Sequence, residues 1–429
     1  MVALANKMDR YNEWLTDNSV ARDGKPFALH LFGRDDVLYI SRPEHFEEVL
    51  KTQSGNFIKG DSVREMFDDL LGEDAVLING ERWQFHRKTL VNLISTRALR
   101  DHMTSIIQDK VTELLQVLQQ TVNTDQPFDI YKLLQKLTLD IFAEIGFGCK
   151  LDLLTSEEEH SFGVAFDNAN RLSSERLAKP TWLWKFQRFF NLRNERLLRD
   201  NINEMDKFIV DIIMEAMQKT QSGKDQTAPK NIMTILLKTN KDITPKESQS
   251  TSKRELRAEI HKALPGFRTS DSYTPSYEEI QGLQYLEATI REVLRLSPTV
   301  PVVPYHCAID TVLDGIFIPA GTDVFLHLYA TGRLTSVWGG DATSFVPERF
   351  LDNETGKLLQ DPPANYSPFS AGPRICIGRN LAMLEMKMTV AAIVSQFKLT
   401  EVPGQDVRPI LDLTLIMKNS LLVRATAIV

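Results

Sequence analysis

The stretch that most constrains this chain runs from residue 368 to residue 380 and reads PFSAGPRICIGRN. Five of its residues follow the spacing F-x-x-G-x-R-x-C-x-G, namely Phe369, Gly372, Arg374, Cys376 and Gly378. The spacing predicts a loop that presents one cysteine just ahead of a helix. Glycines allow the backbone to approach a neighbouring group closely, and amide groups after Cys376 can stabilise a thiolate. The alternative is a buried, inert cysteine between two turns.

The composition is that of a folded protein with a large core. The chain has 429 residues, of which 42% are hydrophobic and 25% are charged. The net charge is −7, so the bulk charge does not favour a nucleic-acid partner. Three cysteines, Cys149, Cys307 and Cys376, are too few for a disulfide framework and indicate a reducing compartment. The thiol of Cys376 is therefore available as a ligand.

Hydrophobic periodicity predicts a mainly helical chain. Helical patterns cover residues 101–118, 128–145, 200–217, 231–240, 258–264, 282–298 and 381–394. Turn signals predict β-hairpins at 28–40 and 315–324, with further hairpins between 398 and 423. No run of about eighteen apolar residues occurs, so the sequence predicts no transmembrane helix.

Two weaker motifs lie outside the cysteine loop. Trp83 and Arg87 have the spacing W-x-x-x-R, which places both on one face of a helix. Taken alone, this pair is as well explained by a solvated charge beside a half-buried aromatic ring. Glu292 and Arg295 have the spacing E-x-x-R, which is common on exposed helices. An ion pair at this spacing adds little stability when it is exposed.

In this combination and order, the motifs resemble those of the cytochrome P-450 superfamily. Within that superfamily, the sequence most resembles the fatty-acid ω-hydroxylases, in three stretches: GERWQFHRK, STRALRD and FDNANRLSSERLAKPTWLW. The resemblance implies one cytochrome P-450-like domain over residues 1–429, mainly α-helical, with a small β portion from residues 27–60 and 300–330. It also implies that the aromatics of residues 162–190 form an apolar roof over an alkyl substrate.

The resemblance assigns the site residues. It implies that Cys376 is the thiolate ligand of haem b, since such a ligand pushes electron density onto the iron. Phe369 and Gly378 belong to the same loop. The propionates would be held by Trp83, Arg87, His306 and Arg374. A structural brace beneath the loop would consist of Glu292, Arg295 and Arg349.

One family feature is missing from the sequence. A-G-x-[DE]-T, which marks the long central helix on the distal face of the haem, does not occur in the chain. The acid and threonine of that motif deliver protons to dioxygen, so no catalytic residue is assigned. We expect the fold to lack this helix. An internal deletion between residues 240 and 253 is the preferred explanation over a functional, diverged variant.

The resemblance implies hydroxylation of a long-chain fatty acid or similar lipophilic substrate, with dioxygen and with electrons from NADPH through a separate reductase. It further implies a monomer at the endoplasmic reticulum membrane with peripheral membrane contact. The sequence carries no N-terminal anchor of the family's kind, so a soluble, cytoplasmic protein or a missing start is also expected. The alternatives are a haem-binding but catalytically impaired protein and a haem-free helical binding protein.

Overall fold

The computed structural model describes residues 10–30, 32–124, 126–156, 159–221, 250–269, 273–359 and 366–428. These residues form a mainly helical fold with a small β portion, as the sequence predicts. The predicted helical piece at 231–240 lies outside the described residues. So do residues 241–249 of the predicted deletion junction.

The helices of the first half are α1 (Tyr11–Ala21), α2 (Pro43–Glu47), α3 (Asp61–Leu71), α4 (Gly80–Leu93), α5 (Thr96–Ala98), α6 (Thr104–Thr124), α7 (Ile130–Phe147), α8 (Ser161–Ser174), α9 (Thr181–Phe189) and α10 (Arg193–Gln221). Those of the second half are α11 (Ser250–Ala263), α12 (Gly266–Thr269), α13 (Tyr277–Gln281), α14 (Gln284–Leu296), α15 (Leu328–Thr331), α16 (Thr335–Trp338) and α17 (Arg379–Gln396). Short π- or 3₁₀-helical turns occur at Glu48–Thr52, Leu99–Met103, Glu175–Ala178, Pro347–Phe350 and Gly372–Arg374.

The strands are β1 (Phe27–Leu29), β2 (Val37–Ile40), β3 (Phe57–Ile58), β4 (Phe128–Asp129), β5 (Val302–Cys307), β6 (Thr311–Leu313), β7 (Ile316–Ile318), β8 (Asp323–His327), β9 (Phe397–Glu401), β10 (Pro409–Leu411), β11 (Leu415–Met417) and β12 (Leu422–Ala427). The largest sheet has the order β1-β2-β8-β5-β3, in which only β2 and β8 are parallel. Strand β12 lies between β4 and β9, and β6–β7 and β10–β11 are separate hairpins.

The hairpin predicted at 28–40 is confirmed by the antiparallel pairing of β1 with β2. The hairpin predicted at 315–324 is wrong. Strand β7 turns back onto β6, whereas β8 joins the large sheet between β2 and β5. Backbone pairing with residues far away in the sequence thus overrides the local turn signal.

Helix α7 shows why the helical predictions succeed. The Asp129 side chain accepts a hydrogen bond from the amide of Lys132 and caps the first turn. Leu133, Leu137 and Ile141 recur every four residues on one face, and all three are buried. Gly148, with φ of +68°, ends the helix in the left-handed conformation that glycine favours.

Helix α11 departs from its prediction at one end. The sequence predicts a helix only from residue 258, because the residues before it are polar, yet the helix begins at Ser250. Leu256 and Ile260 are buried in the same core as Leu384 of α17. Packing of this apolar face therefore supports a helix whose composition alone does not indicate it.

The buried side chain of Arg176 contacts three helices, α3, α9 and α10. Arg176 donates two hydrogen bonds to the carboxylate of Glu195 on α10 and one, of 2.8 Å, to Asp69 on α3. It donates another to the carbonyl oxygen of Met66, and its guanidinium lies 4.7 Å from the ring centroid of Trp184 on α9. Glu195 is itself buried. The position of α9 is thus tied to α3 and α10.

We expect Arg176→Met to lower the free energy of unfolding by about 3–5 kcal/mol, because it leaves the carboxylate of Glu195 buried without a partner. Urea denaturation measures this loss. Arg171→Met is the matched control, since Arg171 forms an exposed ion pair of 3.0 Å with Glu175, and its loss should be about 0–1 kcal/mol. Equal losses for the two variants would contradict the assigned role of Arg176.

Candidate haem-binding site

The cysteine loop is closed by backbone hydrogen bonds. The amide of Cys376 donates to the carbonyl oxygen of Phe369 over 2.8 Å. Gly372 has φ of +61°, and a Cβ atom there would overlap the carbonyl oxygen of Leu50. Glycine is therefore required at position 372 by both backbone conformation and packing. The loop is held against the π-helical turn that contains Leu50.

The sulfur of Cys376 lies at the amino end of α17. The amides of Gly378 and Arg379 donate hydrogen bonds to it, as the sequence predicts, and the guanidinium groups of Arg87 and Arg379 are nearby. Burial raises the pKa of the Cys376 thiol, and these donors and charges oppose that rise. The surroundings therefore supply what an anionic sulfur ligand needs once a metal replaces the proton.

Gly378 leaves space beside the sulfur. A Cβ atom at this position would meet only the Cys376 sulfur, at an ordinary 3.9 Å, and its φ is −76°. The packing of the protein therefore does not require glycine here. An open space next to the thiol is what a flat ligand on that sulfur would fill.

Trp83, Arg87 and Arg374 come together beside the loop. The guanidinium of Arg374 lies 4.1 Å from the ring centroid of Trp83, and that of Arg87 lies 5.8 Å from it. Arg87 donates to the carbonyl oxygen of Ile375 over 2.9 Å. Arg374 donates to the side chain of Asn79, also over 2.9 Å. Three of the four predicted propionate partners are thus on one side of Cys376.

Sequence analysis missed a further cation, Lys59. Its ammonium group donates to the carbonyl oxygen of Pro304 over 2.9 Å and lies 3.9 Å from the ring centroid of Tyr305. The side chain of Asn79 bonds both the amide and the carbonyl oxygen of Lys59. Because Asn79 also accepts from the guanidinium of Arg374, it connects the backbone of Lys59 to the Arg374 side chain. No local sequence signal marks Lys59, which reaches the site only through the pairing of β3 with β5.

The charges in this cluster are unbalanced. Burial and the charge of Arg374 lower the pKa of Lys59 to about 7, and burial, with a contribution from Arg87, lowers the pKa of Arg374. Among the described residues, no carboxylate forms an ion pair with Lys59, Arg87 or Arg374. Neighbouring half-buried cations repel one another unless an anion lies between them. A haem, which carries two propionate groups, fits this cluster.

His306 is placed on β5 next to this cluster, because it pairs with Ile58, the residue before Lys59. Its Nδ1 atom lies 2.7 Å from a carboxylate oxygen of Asp323, whose other oxygen accepts from the hydroxyl of Ser62. One ring nitrogen is therefore engaged within the protein. The role of His306 toward a propionate stays a prediction.

The E-x-x-R residues form a buried ion pair. Arg295 donates to both carboxylate oxygens of Glu292 over 2.6 and 2.7 Å, and Arg349 lies 3.5 Å from the same carboxylate. The amide of Val346 donates to it as well, over 2.7 Å. Glu292 and Arg295 are almost fully buried. The structure thus brings the three residues together, and their action as a brace stays a prediction.

A second ion pair, which sequence analysis missed, connects this helix to the cysteine loop. Lys387 on α17 donates to Glu287 on α14 over 2.5 Å, and Glu287 also pairs with Arg291. Lys387 is 1% exposed. Since α17 begins three residues after Cys376, this pair ties the loop to α14.

The aromatics of the predicted roof lie in two different environments, and their place above a substrate stays a prediction. Phe162 is buried between helices, and Trp184 is buried against Arg176. Trp182, Phe186, Phe189 and Phe190 are instead exposed. The sequence analysis predicts no helix over these residues, and the aromatic composition does not indicate which side of helix α9 faces the protein.

A sequence model described as "Cytochrome P450" matches residues 9–265 and 249–425. Cytochrome P450 86B1 of Arabidopsis thaliana is 29% identical over 96% of this chain and 81% of its own length. Cytochrome P450 94A2 of Vicia sativa is 30% identical over 95% of the chain and 84% of its own length. The solved structure of the cytochrome P450DA heme domain superimposes on the chain with a TM-score of 0.79 and 19% sequence identity. The superposition includes 98% of this chain and 94% of that structure.

The fold and the cysteine loop are those of a haem-thiolate protein. The chain belongs to the cytochrome P450 family. The family implies a haem cofactor, a redox partner reductase, a lipophilic substrate and oxidoreductase chemistry of the monooxygenase type. Within the described residues, no helix is both long and apolar enough to cross a membrane.

The family match also has a break. It consists of two segments, 9–265 and 249–425, which overlap over residues 249–265, rather than one continuous segment. The alignment with cytochrome P450 86B1 extends over 454 residues, more than the 429 of this chain, so that relative carries residues without a counterpart here. These facts agree with the predicted deletion, which stays a prediction.

We expect Lys59 to make the free energy of unfolding of the haem-free chain increase with pH between about 7 and about 10.5. The pKa of Lys59 is about 7 in the folded chain, whereas an unperturbed lysine, as in the unfolded chain, has a pKa of 10.5. Between these two pH values the unfolded chain therefore binds more protons than the folded chain. Lys59→Met should remove this part of the rise. Urea denaturation across the pH range measures it.

The same variant should lower haem affinity by roughly tenfold, because it removes one charged donor to a propionate. Haem titration followed by absorbance checks this. Lys132→Met is the matched control, since Lys132 on α7 forms an exposed ion pair with Glu159. Unchanged haem affinity in Lys59→Met would show that Lys59 does not bind the haem.

Proposed function

We propose that this protein is a haem-thiolate monooxygenase that hydroxylates a long-chain fatty acid or similar lipophilic substrate. In the reaction, one atom of dioxygen enters a C–H bond and the other leaves as water, with electrons from NADPH through a separate reductase. The observation that carries the proposal is the sulfur of Cys376, which accepts hydrogen bonds from two amides and lies beside cations that form no ion pair with a carboxylate of the described residues.

The chain's own residues have separate tasks in this proposal. Cys376 binds haem b, and bound haem supplies the activation of dioxygen that a thiolate ligand favours. Lys59, Arg87 and Arg374 bind the propionates, and Trp83 orients the two arginines by ring contacts. Phe369 and Gly378 shape the loop around the sulfur. Glu292, Arg295 and Arg349 brace it from below.

The proposed substrate rests on sequence resemblance to the fatty-acid ω-hydroxylases in the stretches around Trp83, Arg97 and Trp182. An alkyl chain gains about 0.8 kcal/mol for each methylene that is removed from water, so an apolar site next to the haem favours long substrates. By the same resemblance, we place the reaction at the endoplasmic reticulum membrane.

A second candidate is a haem-binding protein with little monooxygenase activity. The observation that favours it is the absence of A-G-x-[DE]-T from the sequence. Without a positioned proton donor, electrons taken from NADPH should form peroxide rather than hydroxylated product. The third alternative, a haem-free helical binding protein, is less favoured because, in the part of the chain that the structure describes, no carboxylate forms an ion pair with the cation cluster.

The reduced, CO-bound chain should show the absorption band of a thiolate-ligated haem. We expect Cys376→Ser to abolish that band, because serine supplies no thiolate. Cys149→Ser is the matched control and should keep the band, since Cys149 lies on the segment after α7, away from the loop. A band that persists in Cys376→Ser would overturn the assignment of the ligand.

Activity separates the first two candidates. With a plant NADPH-dependent reductase and lauric acid as the probe, the proposed function predicts hydroxylated product in proportion to NADPH consumed. Product analysis together with a peroxide assay measures this coupling. If NADPH consumption yields peroxide and no product while the CO band is present, the protein is the catalytically impaired haem protein.

A further inference from the structure

Asn79 lies immediately before helix α4, at the position where an asparagine normally caps a helix. A capping side chain accepts a hydrogen bond from an amide of the first turn, and the side chain of Asn79 accepts none from α4. It points away from the helix instead. Because local capping does not account for this side chain, its role must come from its partners elsewhere in the molecule.

The direction of the Asn79 side chain follows from the neighbouring backbone. Asn79 is extended, with φ of −127° and ψ of 174°, and Gly80 has φ of +66°. Glycine adopts such a positive φ without strain. A Cβ atom at Gly80 would meet no neighbour within 4 Å, so the glycine serves the turn and not the packing. The turn at Gly80 lets α4 begin while the side chain of Asn79 reaches Lys59 and the cysteine loop.

The side-chain amide of Asn79 fixes the backbone of Lys59. Its oxygen accepts from the Lys59 amide over 2.9 Å, and its nitrogen donates to the Lys59 carbonyl oxygen over 2.8 Å. Strand β3 ends at Ile58, so these two hydrogen bonds satisfy the backbone groups of the residue that follows the strand. The point from which the Lys59 side chain extends is thus held by Asn79.

The same oxygen of Asn79 holds the guanidinium of Arg374. It accepts from Nη2 over 2.9 Å, while Nη1 donates to the carbonyl oxygens of Ala75 and Ile78 over 3.3 and 2.9 Å. These bonds use both N–H groups of Nη1 and one of Nη2. With respect to the described residues, the Nε–H and the second N–H of Nη2 stay available to an anion. Arg374 is therefore fixed by the segment before α4 and still keeps two donors.

Asn79 makes these contacts without adding a charge. A carboxylate in its place would also accept from the Lys59 amide and from Arg374, but it would neutralise part of the positive charge of the cluster. The uncharged amide leaves that charge to a ligand. A ligand that carries two carboxylates on one edge, as haem does, is complementary to cations held in this way.

We propose that Asn79 is a positioning residue of the haem site, which holds the backbone of Lys59 and the guanidinium of Arg374 in place for the two propionates without neutralising their charge. The inference rests on the proposed binding of haem and deepens it, because it assigns haem retention to a residue that acts through its two neighbours. Asn79 should therefore matter only to a porphyrin that carries charged propionates.

Haem and its dimethyl ester separate this role from a general structural one, because the ester has the same ring and iron but no propionate charge. Asn79→Ala should lower the affinity of the full chain for haem roughly tenfold and leave its affinity for the ester unchanged. Absorbance titrations measure both affinities. Equal losses for the two porphyrins, or no loss for either, would overturn the proposal.

Asn419→Ala is the matched control. The side chain of Asn419 is exposed and donates a hydrogen bond of 2.9 Å to the carbonyl oxygen of Asp406. Its removal should change the affinity for neither porphyrin. A loss of haem affinity in Asn419→Ala as large as that in Asn79→Ala would overturn the assignment to Asn79.

Asn79→Asp tests the absence of charge at this position. Aspartate has the size and shape of asparagine, so this variant also decides the matter if Asn79→Ala does not fold. We expect haem affinity to fall at least about tenfold, because the new carboxylate pairs with Arg374, and affinity for the ester to stay unchanged. Haem affinity equal to that of the wild type in Asn79→Asp would overturn the proposal.

The reduced, CO-bound spectrum of the wild-type chain separates this inference from the proposed function. A thiolate band together with equal losses for both porphyrins in the Asn79 variants would overturn this inference alone. Losses confined to haem without a thiolate band in the wild type would support this inference and overturn the proposed ligand. A wild-type chain that binds neither porphyrin would overturn both.

Discussion

The buried carboxylate of Glu292 holds together chain segments that lie far apart in the sequence. It accepts hydrogen bonds from Arg295 and from the amide of Val346, and Arg349 approaches it. Arg295 in turn donates to the carbonyl oxygens of Ala342 and Ser344. The pair therefore joins α14 to the long segment that follows α15. Ion pairs of this kind contribute through correct placement of chain segments more than through net energy.

This interaction reaches the cysteine loop in two steps. Glu287, one turn and a half before Glu292 on the same helix, bonds Lys387 of α17. Helix α17 carries the amide of Arg379 that points to the sulfur of Cys376. We expect the loss of any of these links to change the direction of the Cys376 thiol without altering a residue that touches it. The position of the proposed ligand would then depend on contacts well outside the cysteine loop.

The sequence motifs allow prediction of the parts of the site that are local. The loop of Cys376 is one continuous stretch, so its spacing, its glycine at 372 and its amide donors follow from residue order. Lys59 could not be predicted in this way, because its place beside Arg374 depends on the pairing of β3 with β5. For the same reason, the β7 and β8 strands were assigned to the wrong partner.

The sequence also does not predict which side of a helix packs against the protein. The resemblance predicts that the aromatics of residues 162–190 face a substrate, yet those of helix α9 at 182, 186 and 189 face solvent. Which side packs is decided by Arg176, whose ion pairs with Asp69 and Glu195 hold Trp184 inward. Those partners are distant in the sequence, so no pattern within α9 contains this information.

The two halves of the candidate haem site are joined through long-range contacts. Arg87 and the carbonyl oxygen of Ile375 are 288 residues apart in the sequence but share a hydrogen bond, and β2 pairs in parallel with β8. The entropy of closing so large a loop grows only with the logarithm of its length. A chain shortened in its middle therefore closes this loop at almost the same cost. Shortening the chain there therefore changes the entropic cost of bringing these two segments together very little.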